Sequence, residues 1–149
     1  MNAERIQRIF AVNVTGSFLC AREAVKRMST KYGGTGGSIV NLSSGAAKYG
    51  SPGEYVDYAA SKAAIDTLTI GLAKEVAEEG IRVNAVRPGF IDTEIHQSGG
   101  EPDRMERVRP LVPMKRVGQA DEVADAIMWL LSDKASYTTG TILDVSGGR

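Results

Sequence analysis

SIVNLSS, from Ser38 to Ser44, is a short run with adjacent Ile39 and Val40, set between two glycine-containing loops. Its length and composition predict a strand buried within a sheet. Before it, Ile6, Phe10, Asn13, Ser17, Cys20, Ala24 and Met28 recur at spacings of three and four. That stripe, with Glu4, Arg8, Arg22 and Lys26 opposite, predicts one long helix from about Glu4 to Ser29. Gly33, Gly34, Gly36 and Gly37 end it. After the strand a loop reaches Pro52, and a second helix is expected from Glu54 to Glu79, stopped by Gly80. Its apolar ridge is Ile65, Leu68, Leu72 and Val76. IRVNAVRPG, closed by Pro88 and Gly89, predicts the second strand. Glu94 to Gly118 is charged and broken by Pro102, Pro110 and Pro113, a length that suits a functional loop. A third helix follows over Ala120 to Leu131, with Asp121 and Glu122 complementing its dipole. GTILDVSGG predicts the last strand. Helices and strands that alternate in this way predict an α/β fold: parallel strands, right-handed crossovers and helices on both faces of the sheet.

The 149 residues suffice for one domain with its own core. Lysine plus arginine equals aspartate plus glutamate, 18 against 18, so no charge footprint for nucleic acid or an anionic membrane is present. No apolar run has transmembrane length. Cys20 is the single cysteine, which excludes an internal disulfide and suits a reducing cytoplasmic compartment. His96 stands alone in a charged loop, with no partner spacing for a metal site. GGTGG lies after a helix and before a strand, the reverse of a phosphate-binding turn, and reads as a linker.

In an open parallel sheet, sites lie beyond the carboxyl ends of the strands. YAASK, Tyr58 to Lys62, puts a phenol and an ammonium on one helical face. Of five tyrosines, only Tyr58 has a lysine four residues later. A nearby cation favours phenolate, and a tyrosine so tuned can exchange a proton with a substrate oxygen. Taken alone, such a pair is more often an incidental surface feature. Ala59, Ala60, Ala63 and Ala64 leave room for a ligand or a second helix. Ser44 ends the first strand 14 residues before Tyr58 and offers a hydroxyl to a reacting oxygen, or serves only as a cap. Ser43 is its competitor, because adjacent strand residues point opposite ways. Asn13 is a polar amide on an apolar stripe, three residues before Gly16. A local kink there would free backbone groups to bind Asn13 or a water. In RPGFIDT, Pro88 and Gly89 break the strand and allow close approach of a ligand, with Thr93 as a hydrogen-bonding group.

The ordered set of NVTG at 13–16, SIVNLSS at 38–44, YAASK at 58–62, NAVRPG at 84–89 with Thr93, and the closing VSGG resembles the short-chain dehydrogenase/reductase family. The resemblance implies a Rossmann-like doubly wound parallel sheet. It implies Tyr58 as general acid/base, Lys62 lowering its pKa and binding the nicotinamide ribose, and Ser44 polarising the substrate. Asn13 would anchor a proton-relay water, and Pro88, Gly89, Ile91 and Thr93 would line the nicotinamide of NAD or NADP. The substrate would be a small carbonyl or alcohol, and residues 94–117 would form its lid. The spacing from Ser44 to Tyr58 is one residue longer than the commonest family spacing, an insertion that Pro52 and Gly53 would absorb.

The family also carries a strand, a TGxxxGxG turn for the pyrophosphate and a later NNAG segment, none of which appears here. Met1 falls within what resembles the helix after the fourth strand. The expectation is therefore a single domain over 1–149, the C-terminal catalytic and substrate half, with about three strands and three main helices and lacking the first four strands. Such a chain would expose one edge of its first strand and bind NAD(P)(H) poorly. It would oligomerise with itself through the helices at 4–29 and 54–79. A catalytically defective remnant, acting only as a dimerising or partner-binding fold, is the alternative function class.

Overall fold

A computed structural model describes residues 1–93 and 104–149. His96 and the first part of the 94–117 segment lie outside the described residues. Three parallel strands form the main sheet: β1 (Gly37–Leu42), β2 (Ile81–Pro88) and, for now by its range, Ile142–Val145. Their order places β2 in the middle. Gly37 pairs with Ile81 and Leu42 with Val86; Ala85 pairs with Ile142 and Pro88 with Val145.

The first predicted helix is three consecutive pieces: α1 (Ala3–Phe10), a π-helical stretch (Ala11–Thr15) and α2 (Gly16–Met28). The extra residue of the π turn rotates everything after it. Cys20, placed on the buried stripe by its spacing, is therefore exposed, while Ala21 is buried instead; Ile6, which precedes the turn, is also exposed. After β1 a single turn, α3 (Ala46–Tyr49), leads to the long helix α4 (Val56–Val76). A 3-10 turn over Ala77–Glu79 ends at Gly80, whose φ of 76° is the left-handed stop expected there.

Two further strands of two residues each, β3 (Ile91–Asp92) and β4 (Gly118–Gln119), pair in parallel. They close the base of the long segment between them, which also contains α5 (Arg104–Val108). α6 (Ala120–Leu131) has the predicted limits, and Ile142–Val145 is β5.

Alternation along β2 divides the core. Ile81 and Val83 pack with Ala73 and Val76 of α4 and with Val25 and Met28 of α2 on one face. Val86 packs with Val123 and Leu130 of α6 on the other. Being buried on both faces is why β2 reads as a nearly continuous apolar run. β1 and β5 are the two edge strands, and Leu42 of β1 is half-exposed. The glycine-rich linker is a packing feature. A Cβ on Gly34 would lie 2.4 Å from the Met28 carbonyl oxygen, and one on Gly36 would lie 2.5 Å from that of Gly80. No helix among the described residues is long and apolar enough to cross a membrane.

Candidate active site

The site forms where the π turn meets α4 at the carboxyl end of β1. Asn13 lies inside the π turn, a change of helix type at the place where a kink is expected from the sequence. Its Nδ2 donates to Ser61 Oγ at 3.0 Å, and its carbonyl accepts from Ser17 Oγ at 2.7 Å. Ser61, fully buried, also donates to the Tyr58 carbonyl at 2.7 Å. The small residues of YAASK thus admit a neighbouring helix: Ala59 and Ser61 are buried, whereas Ala60 is exposed. Arg5 of α1 adds a second fastening, its Nε donating to Asp57 Oδ2 at 2.6 Å, while Asp57 Oδ1 accepts from the Tyr58 amide at 2.9 Å.

Tyr58 and Lys62 share a face as predicted. Lys62 Nζ lies 5.7 Å from the centre of the Tyr58 ring and donates to the Leu42 carbonyl at 2.8 Å. That carbonyl ends β1, so the ammonium is fixed at the mouth of the sheet. Burial pulls Lys62 below the ordinary lysine range, and the carboxylate of Asp66, one turn later, opposes the shift.

The two serines divide their work. Ser43 is buried, and its Oγ donates to the Lys62 carbonyl at 3.2 Å. Ser44 is half-buried, and its Oγ accepts from the amide of Ala46, the first residue of α3, at 3.1 Å. An accepting hydroxyl still has its own proton to donate. The backbone here is threaded across the end of β2: Ser43 N donates to Val86 O and Gly45 N to Pro88 O, each at 2.9 Å. Pro88 and Gly89 therefore adjoin the Ser44 segment. The tight approach at Gly89 is to the chain itself, since a Cβ there would lie 2.8 Å from Ser146 Cα. Ile91 belongs to β3 and packs on the α6 core, and Thr93 is exposed. Between Ser44 and Tyr58, three residues, Gly50, Ser51 and Gly53, adopt the left-handed region.

Several polar residues that hold this frame escaped the sequence reading. Asn84, fully buried, donates to Thr138 O at 2.9 Å and accepts from Thr141 N at 3.1 Å. Arg82 donates to Leu130 O at 2.8 Å and Ser132 O at 3.1 Å, satisfying the open carbonyls at the end of α6. Both lie at alternate positions of a strand whose apolar neighbours dominate the pattern. Two clefts of about 570 and 480 Å³ open beside β3 and β4, lined in one case by Asp92, Arg109 and Lys115 and in the other by Phe90, Met114 and Arg149. Neither is walled by Tyr58 or Lys62.

Lys62 Nζ sits at the end of β1 and the Ser44 segment adjoins Pro88 and Gly89 at the neighbouring strand end, whereas the glycine run that superficially suggests a phosphate cradle is filled by Met28 and Gly80.

A family model described as enoyl-(acyl carrier protein) reductase matches residues 1–149. The chain is 68% identical over 149 residues to an uncharacterized oxidoreductase of Escherichia coli, YgfF, covering 100% of this chain and 60% of the relative. It is 43% identical over 146 residues to 3beta-hydroxysteroid dehydrogenase 1 of Eggerthella lenta, covering 97% of this chain and 55% of the relative. A crystal structure of 3-oxoacyl-[acyl-carrier protein] reductase from Brucella melitensis superposes with a TM-score of 0.88 at 40% identity, covering 99% of this chain and 54% of that one. The chain thus spans between half and two thirds of the length of these proteins.

Proposed function

The chain belongs to the short-chain dehydrogenase/reductase family, and on that premise we propose that it is an NAD(P)-dependent oxidoreductase acting on a carbonyl or alcohol, with Tyr58 as general acid/base. The observation that carries this reading is the placement of Lys62 Nζ, anchored on Leu42 O and 5.7 Å from the Tyr58 ring centre, at the carboxyl end of a parallel sheet. The names of the relatives, an oxidoreductase, a dehydrogenase and a reductase, favour catalysis over a purely structural role.

The nicotinamide, when bound, supplies or accepts the hydride. The chain's own part is proton transfer and alignment. Tyr58 gives its phenolic proton to the substrate oxygen during reduction and takes it back during oxidation. Lys62 holds positive charge beside the phenol and presents donors to a ribose hydroxyl. Ser44 donates to the same substrate oxygen and steadies its developing charge. Asn13 orders the π turn against Ser61 and so sets the height of Tyr58 over the strand ends. Pro88, Gly89, Ile91 and Thr93 would line the nicotinamide.

Because the contacts proposed here are all with the nicotinamide end, binding of NADH or NADPH by these 149 residues is expected to be weak. A titration read by melting temperature tests this. A small, non-saturating shift agrees with the half-site, and saturable binding at micromolar concentration overturns it. Self-association through α1, α2 and α4 is part of the proposal. It is supported by the exposed apolar side chains Phe18, Leu19, Val56 and Ile70 on those helices and Val12 in the π turn.

A further inference from the structure

Charged side chains from α3, β5, β2 and α4 form one alternating chain that ends at Asp66, one helical turn after Lys62 on α4. Lys48 Nζ lies 3.2 Å from Asp144 Oδ2, and Arg87 Nη1 lies 3.7 Å from Asp144 Oδ1. Arg87 then turns its Nε and Nη2 onto a single oxygen of Asp66, at 3.0 and 2.7 Å from Oδ2. The Asp66 side chain is 9% exposed and that of Arg87 is 22% exposed, so water screens the pair poorly. Asp66 Oδ1 is buried and has no hydrogen-bond partner among the described residues.

A carboxylate serving only to fix Arg87 would offer both oxygens to the fork of the guanidinium. Here one oxygen takes both bonds and the other is left in the interior, an arrangement that is costly unless a second cation lies within reach of its field. Lys62 is that cation, one turn earlier on the same helical face.

We propose that Asp66 is a positioning residue for Lys62: clamped under α4 by Arg87, its carboxylate keeps the ammonium charged and directed at the end of β1. The consequence for catalysis rests on the function proposed above; the coupling between the two side chains does not. The direction of the Lys62 shift agrees, since burial discourages the charge and Asp66 is the group that restores it. The other groups facing this region are Tyr58 on the same helix, Arg87 and Asp144 from the sheet and Lys48 from α3. None of these four brings a negative charge as near as Asp66 on its own helix.

The test is a pH titration of isotope-labelled lysine by NMR on the full 149-residue chain, with the Lys62 signal assigned by its loss in Lys62→Arg. In Asp66→Asn the signal is expected to titrate at lower pH than in the unsubstituted chain. In Arg87→Gln, which leaves Asp66 uncompensated, it is expected to titrate at higher pH. A simple loosening of the fold would expose Lys62 and move it upward in both variants, so an unchanged or raised midpoint in Asp66→Asn overturns the proposal. Should that variant fail to fold, Asp66→Asn/Arg87→Gln removes both charges together. It is expected to lower the midpoint by less, and no lowering there overturns the proposal as well. The function is tested separately by cofactor-dependent turnover of Lys62→Met. Retained turnover sinks the role of Lys62 in catalysis and leaves the coupling measured by NMR intact.

Discussion

Lys62 is the residue on which sequence, structure and chemistry meet. It projects from α4, its head is bonded to the last carbonyl of β1, and burial holds it below the usual lysine range. A base whose folded pKa is lowered binds fewer protons than the unfolded chain between the two values. Stability therefore rises with pH across the window from the lowered folded pKa to the ordinary lysine value of about 10.4. Denaturant unfolding of the native chain at increasing alkaline pH is expected to show that rise, and Lys62→Met is expected to flatten it. An identical slope in both proteins would mean that the ammonium is not buried in solution. Glu122 gives a slope of the same sign in an acidic window. Hydrogen bonds from Arg116 and from the Gln119 amide push its carboxyl down to about 2. The stability it contributes is complete above its unfolded value of 4.5 and is lost as pH falls through about 2. Acid unfolding of Glu122→Gln should lack the part of the pH dependence that lies between those values.

Among the elements, those set by local pattern were legible and those set by distant partners were not. α6 was placed at Ala120–Leu131 because its acidic first turn and apolar spacing need no context. β1, β2 and β5 were legible because strands buried in a parallel sheet must be apolar. The expected break near Asn13 was visible from Gly16 and from a polar residue on an apolar stripe. Its form, a π turn, depends on Ser61 and Ser17 supplying partners, and no local spacing records that. The change of helix type also explains why the stripe failed beyond it, leaving Cys20 outside and Ala21 inside. β3 and β4 escaped notice because two residues each carry no period, and their pairing joins segments 27 positions apart. Tyr58 and Lys62 were legible as a pair because one helical turn fixes their neighbourhood. The assignment of Ser43 to α4 and Ser44 to the strand end required the fold, although the opposition of the two was already implied by the pleat.

At the level of the whole molecule, two surfaces stand out: the outer edge of β1 and the apolar flank of the first helices, where Val12 is 67%, Phe18 50% and Leu19 46% exposed. Apolar side chains grouped in this way mark contact surfaces. Light scattering coupled to size exclusion is expected to show a dimer or larger assembly, and Phe18→Lys is expected to shift the mass toward that of one chain. A native chain that is monomeric at all concentrations would remove the proposed self-association without touching the reaction centre. That centre is tested most directly by turnover. Carbonyl reduction should be followed at millimolar NADH and NADPH, to offset weak binding, with the native chain and Tyr58→Phe compared side by side. The account predicts slow but measurable cofactor oxidation that falls about 100-fold or more when the phenolic hydroxyl is removed. Turnover that is indifferent to the Tyr58 hydroxyl, or no turnover with either cofactor across a panel of aldehydes and ketones, would contradict it.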